Sequence, residues 1–86
     1  MELQVLNHIM IILENKTNYI VMEGDTEIQC YSYNTLVAVY NKIMNNYTLI
    51  NSYIDGGIEK PLSKTSRKHQ NIFIREYIPS NAILIK

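Results

Sequence analysis

The densest chemistry in the chain lies in one stretch, "SKTSRKHQNIF" at 63–73. The hydroxyls of Ser63, Thr65 and Ser66 interleave with Lys64, Arg67 and Lys68, and His69 follows. Lys60 and Arg75 extend the run, and no acid falls between them. Hydroxyl residues ahead of an apolar periodicity are good helix N-caps. A helix start also presents free N–H groups and the positive end of the dipole. With Lys and Arg added, that end suits phosphate, a nucleic-acid backbone or a partner's carboxylates. The other reading is a capped helix with a solvated polar face, on which first-turn cations oppose the dipole at a small cost. Both readings remain open on residue types alone.

His69 has the chemistry of a general base, but no Ser-His-Asp or Cys-His order supports that role. It is expected on the apolar face of a helix, bonded to Thr65 or a backbone carbonyl. His8, His69 and the scattered carboxylates lack the spacing of zinc ligands. Cys30 is alone, so no internal disulfide forms, and a lone Cys on a strand is usually buried filler. No catalytic residue, metal or cofactor is expected. Tyr31, Tyr33, Tyr40, Tyr47 and Tyr53 are candidates for one sheet face, where tyrosines stack bases or supply protein-contact area. The candidate binding set, for an anion or a partner, is Lys64, Arg67, Lys68, His69, Arg75, Tyr31 and Tyr33.

These groups need elements to hold them. Residues 8–14, "HIMIILE", read as a buried strand, 14–18 as a turn and 19–23 as the returning strand. Gly24-Asp25 is the next turn signal. In 26–33, Ile28, Cys30 and Ser32 alternate with Glu27, Gln29, Tyr31 and Tyr33, which is a strand with the two tyrosines opposite Cys30 and Ser32. Asn34 breaks the run. Residues 35–40 and 47–54 then read as two strands around a polar tip at 41–46, with a helix over 34–45 as the alternative. Asp55-Gly56-Gly57 and Pro61 mark 55–61 as a loop. Residues 64–78 form the helix: Phe73 and Tyr77, and Ile74 and Ile78, lie four apart, with His69 a turn earlier. Pro79 ends it. Residues 81–86 read as a closing edge strand.

A chain of 86 residues is one domain, here 1–86. Its 47% apolar content suits a folded core rather than disorder. Eight basic and eight acidic residues cancel, so no long-range field draws a polyanion. No apolar run reaches the roughly 18 residues that span a bilayer, and Glu2, Asn7 and His8 do not fit a signal peptide. A cytoplasmic protein without membrane contact is expected. Its thin core and exposed sheet edge favour a homodimer.

Two stretches resemble those of small uncharacterised phage and prophage proteins of low-GC Gram-positive bacteria, whose "SYxTxVA" segment precedes a "TTSxHxNxFL" helix start. Ser32, Tyr33, Thr35, Val37 and Ala38 match the first motif. Thr65, His69, Asn71 and Phe73 match the second at the same spacing. Ser66 and Arg67 replace its Thr-Ser pair, Gln70 stands where an apolar residue is common, Leu62 replaces a Tyr, and the insert at 55–61 is longer. The resemblance implies a phage setting and a sheet-plus-helix fold. With the residue reading it gives these expectations: an α+β fold with a sheet of roughly four to five mostly antiparallel strands and one amphipathic helix packed on one face; a non-enzymatic, phage-encoded accessory protein that binds a host protein, such as a component of a bacterial defence system; alternatively, a nucleic-acid-binding module using the basic helix start and exposed tyrosines.

Overall fold

A computed structural model describes residues 10–85. The fold is α+β. Eight strands and one helix follow in order: β1 (Ile11–Lys16), β2 (Tyr19–Glu23), β3 (Glu27–Ser32), β4 (Thr35–Asn41), β5 (Asn46–Leu49), β6 (Ser52–Asp55), β7 (Ile58–Pro61), α1 (Lys64–Tyr77) and β8 (Ile83–Ile85). The main sheet has six strands in the order β1-β2-β3-β4-β5-β8, and β6 and β7 pair separately. The strands are therefore more numerous than the sequence suggests. All pairs are antiparallel except β5 with β8.

Several elements differ from the expectations for physical reasons. The first strand runs through Glu14–Lys16, because the hairpin turn needs only Thr17 and Asn18. The start of that expected strand, 8–9, lies outside the described residues, as does Lys86 of the closing strand. Residues 34–45 are not helical: Thr35–Asn41 pairs with strands on both sides. The expected strand 47–54 is broken at Ile50 and Asn51. There the backbone bonds outward, Ile50 N–H to the Val37 carbonyl and Leu62 N–H to the Asn51 carbonyl. Residues 52–61 are not a strand end and a loop but a hairpin, turned at Gly56 and Gly57 with φ of 62° and 81°. Left-handed φ at both central residues defines the tight turn that suits strand twist, and glycine adopts it without a β-carbon clash. This arm is exposed along its length, apart from Ser52. It gives the chain a Cα radius of gyration of 13.9 Å, against about 12 Å for a compact chain of this size.

The helix forms where the periodicity places it. Ser63 is the N-cap, in extended conformation, and its Oγ accepts from Ser66 N–H at 3.1 Å. Ile78 leaves helical geometry with φ −102° and ψ 124°, as the residue before Pro79 must. The helix packs on β3 and β4. Phe73 on the helix and Ile78 at its C-cap join Val21, Ile28, Cys30, Val37, Ala38 and Tyr40 of the sheet in one buried core. A bulge sets two β4 residues against Cys30, so Val37 and Ala38, neighbours in sequence, are both fully buried.

Strand parity sorts the remaining residues. Tyr40 and Tyr47 face the helix, opposite each other across β4 and β5. Tyr31 lies on the other face of the sheet, where α1 does not reach, with Ile20 and Leu36 as its cross-strand neighbours. The five tyrosines therefore do not share one face.

Candidate functional site

The helix start meets the β3–β4 turn. That turn consists of Tyr33 and Asn34, with φ of 52° and 65°. Both are left-handed, which fits a two-residue hairpin. Asn is at home there. Tyr is not: a bulky side chain in this region meets the following carbonyl. The turn also reverses the direction that simple alternation assigns to Tyr33. Its ring projects on the helix side of the sheet, 49% exposed, with its centroid 6.2 Å from that of His69. The expectation that Tyr33 lies on the face opposite Ser32 is thus overturned by the turn.

Beneath Tyr33 runs a line of polar contacts. The Ser32 hydroxyl lies 2.7 Å from His69 Nδ1 and 2.9 Å from Ser66 Oγ. Ser63 Oγ, which accepts from Ser66 N–H, donates to Ser66 Oγ at 3.3 Å. One direction satisfies these groups: Ser63 O–H to Ser66, Ser66 O–H to Ser32, and Ser32 O–H to an unprotonated Nδ1. His69 is then the Nε2–H tautomer, with its proton away from the serines. Ser32 and Ser66 are buried, at 1% and 6% exposure. Buried hydroxyls need partners, and these find them in one another. His69 therefore bonds Ser32 and not Thr65 or a backbone carbonyl. The chain does contain a Ser-His contact, but the hydroxyl is enclosed and no carboxylate bonds the ring among the described residues. This contact locks the helix to the sheet.

The imidazole is flanked by two rings. Tyr19 lies 5.1 Å away between centroids on the inner side, and Tyr33 covers the outer side. Burial lowers the His69 pKa, and the Lys68 charge lowers it further. The Tyr19 hydroxyl is buried and has no hydrogen-bond partner among the described residues. Burial raises its pKa, with smaller contributions from Cys30, Tyr77, Glu76 and Glu14. Cys30 is fully buried, and burial pushes its thiol up to about 12, so it is a small core residue and not a nucleophile.

A cavity of about 290 Å³ opens between the turn, the helix start and the arm. Ser32, Tyr33, Thr35, Tyr53 and Ser66 line it, and each carries a hydroxyl. Lys64, Arg67 and Lys68 do not line it. They are exposed on the first turns of α1, and none joins an ion pair among the described residues. Arg75 is exposed near the far end of the helix, beside a groove that also includes Lys16, His69 and Glu76. Lys60 is on the arm, paired with Asp55 at 3.0 Å. The candidate set therefore divides. Tyr33 and His69 meet at one shoulder, Lys64, Arg67 and Lys68 are exposed on the first turns of the helix, Arg75 lies further along it, and Tyr31 is on the opposite face of the sheet.

Sequence reasoning missed two contributors, Thr35 and Gln70, and assigned a third, Tyr53, to a sheet face. Thr35 and Tyr53 enter the cavity only because the hairpin and the arm converge. Gln70 is 5% exposed, and its amide donates to the Val37 carbonyl at 2.8 Å and the Ile50 carbonyl at 2.9 Å. It pins α1 to the β4 bulge and to the point where the chain leaves β5. A polar residue on the buried side of a helix was the only available signal. Among the described residues, no group of three His, Cys, Asp or Glu is placed to hold a metal, and no helix is long and apolar enough to cross a membrane. Compared with known proteins, the chain matches no protein-family model, no curated protein and no solved structure.

Proposed function

We propose that this chain is a non-enzymatic accessory protein, encoded by a phage, that binds a host protein through the Tyr33 shoulder. A component of a bacterial defence system is the class of target. The observation that carries the reading is the backbone of Tyr33. A bulky residue held at φ 52° costs free energy that Asn or Gly would not, yet its ring is half exposed. Strain maintained for an exposed aromatic is a mark of a functional position. The surroundings fit an interface anchor. Beside the ring lies the hydroxyl-lined cavity, able to receive a partner side chain, and Arg67 and Lys68 are exposed on the helix that carries His69. Protein hot spots combine Tyr, Arg and a pocket in this way. The residues that carry the phage resemblance converge here too, Ser32 and Tyr33 against His69.

The test is capture from a bacterial lysate with tagged protein, with and without nuclease. Wild type retains a protein partner after nuclease treatment. Tyr33→Gly loses it, and the combined change of Lys64, Arg67 and Lys68 to Gln weakens it through lost electrostatic steering. Salt-sensitive DNA binding by the purified wild type, abolished by the triple change, refutes this reading in favour of a nucleic-acid module.

A further inference from the structure

The helix covers one face of the six-stranded sheet. The other face carries Ile12, Ile20, Met22, Tyr31, Leu36 and Val39, interspersed with uncharged Asn15, Gln29, Asn41, Asn46 and Thr48, as register and parity require. Ile83 and Ile85 extend it on β8, where they are 69% and 46% exposed. Ile12 is 57% exposed, and a depression of about 460 Å³ lies between it, Ile20, Met22 and Tyr31, with Asn15 and Asn34 at its rim. Among the described strand residues of this face, Glu27 is the only charge. Its polar neighbours satisfy one another: Tyr31 O–H donates to Gln29 Oε1 at 2.9 Å, and Gln29 Nε2 donates to Glu27 Oε1 at 3.1 Å.

We propose that this face docks a second copy of the chain, sheet on sheet, with the helices outermost. The surface chemistry selects the occupant. A nucleic acid finds no cation here, and a charged peptide finds no counter-charge. A second copy brings a nearly uncharged, partly apolar sheet of the same twist, and aligned packing of two such sheets is a standard arrangement. The chain has no net charge, so two copies do not repel at long range. The side-chain hydrogen bonds along β3 reduce the cost of drying its polar groups.

The area is sufficient. Six strands at about 4.8 Å spacing, with about five residues each at 3.3 Å, give roughly 400 Å² in projection per copy. The pair thus covers about 800 Å² in projection, and the relief of the side chains raises the surface removed from water toward ~1,200 Å², the lower bound for a specific interface. Such a dimer is reversible. Its location differs from the edge-to-edge association that the sequence suggests, and it is independent of the Tyr33 shoulder.

Sedimentation velocity of the full chain tests it between about 5 and about 500 μM, where a micromolar dimer dissociates on dilution. The expected result is a species of twice the 10.0 kDa chain mass that grows with concentration. Met22→Glu places a charge at the centre of the face and raises the dissociation constant by about tenfold or more. Gln29→Glu changes a position that is already polar and serves if the first variant does not fold. In a mixture of isotope-labelled and unlabelled wild type, the Met22 methyl shows contacts that cross between copies. A chain monomeric throughout the range overturns the proposal, including the case in which only another protein occupies the face. So does a dimer that neither charge weakens and in which Met22 shows no intermolecular contact, as edge-to-edge pairing of β1 produces.

Discussion

Replacing Tyr33 by Gly and by Ala separates the two free-energy terms that meet in this residue. Both changes remove the ring. Tyr33 is 49% exposed, so about half of its surface is covered. A Tyr side chain buries about 200 Å² when fully enclosed, so the loss is near 100 Å², or up to ~2.5 kcal/mol at about 25 cal/mol per Å². The two variants differ at the backbone. Ala keeps the β-carbon that clashes at φ 52°, while Gly removes it. Left-handed geometry costs a non-glycine residue ~1–2 kcal/mol, offset in part by the larger unfolded-state entropy of Gly. Tyr33→Ala should therefore lose about 2.5 kcal/mol and Tyr33→Gly about 1.5 kcal/mol, a difference of ~1 kcal/mol in favour of Gly. Urea unfolding followed by circular dichroism measures both, and thermal midpoints should separate by ~4–8 °C for a domain of this size. Equal stability of the two variants refutes the strain, and with it the main argument for a functional role. If Gly matches the wild type, the ring packs against nothing of consequence.

Three further outcomes follow from the same contacts. Gln70→Met keeps the volume but leaves the Ile50 carbonyl without its side-chain donor, and should cost ~2 kcal/mol in urea unfolding; a change under about 0.5 kcal/mol shows that shape alone holds the helix. Ser63→Ala should cost ~1 kcal/mol, because the Ser66 N–H and the serine line lose a partner together. The folded His69 pKa lies below its ordinary value, so the folded state binds fewer protons than the unfolded state below about pH 6.5. Stability is fully present above that pH and falls as the pH drops toward the folded pKa. His69→Gln should remove this decline and Lys68→Gln should reduce it, as read from unfolding midpoints between pH 7 and 5; an unchanged slope in both variants assigns the decline to other groups.

What the sequence reveals depends on the range of the interaction. The helix is local chemistry: a cluster of three hydroxyl caps of which Ser63 is used, a four-residue apolar repeat and a proline stop. The alternation of Ile28, Cys30 and Ser32 likewise predicts a strand with those residues inward. The break at Ile50 and Asn51 is hidden, because "YTLINSYI" has strand composition throughout. Only the Gln70 amide and the Leu62 N–H, distant in sequence, mark where the chain departs. The Asp55-Gly56-Gly57 signal was visible, but four-residue strands on either side are too short for periodicity to declare. The contacts at the site span 34 residues for Ser32–Ser66 and 37 for Ser32–His69, so no local pattern encodes them. Tyr33 shows the sharpest limit. A two-residue turn reverses the facing that alternation predicts, and only the Asn34 that follows hints at it.

The parallel pairing of β5 with β8 divides the fold by sequence distance. From β1 to β5 the sheet is a meander in which each strand returns beside its predecessor, so each pairing closes a short loop. β8 is different: Ile83 faces Asn46, across a connection that contains the arm and the helix. Short-range pairings assemble early and distant ones late. The last strand should dock after α1, and in native-state hydrogen exchange it should open before the meander does. The cost of closing such a connection rises only with the logarithm of its length, by about 0.6 kcal/mol per doubling. The exposed arm spanning residues 52–61 is therefore the part of the chain whose length can change most freely. An insertion at Gly56-Gly57 leaves the six-stranded sheet, the serine line and the sheet face away from the helix as they are.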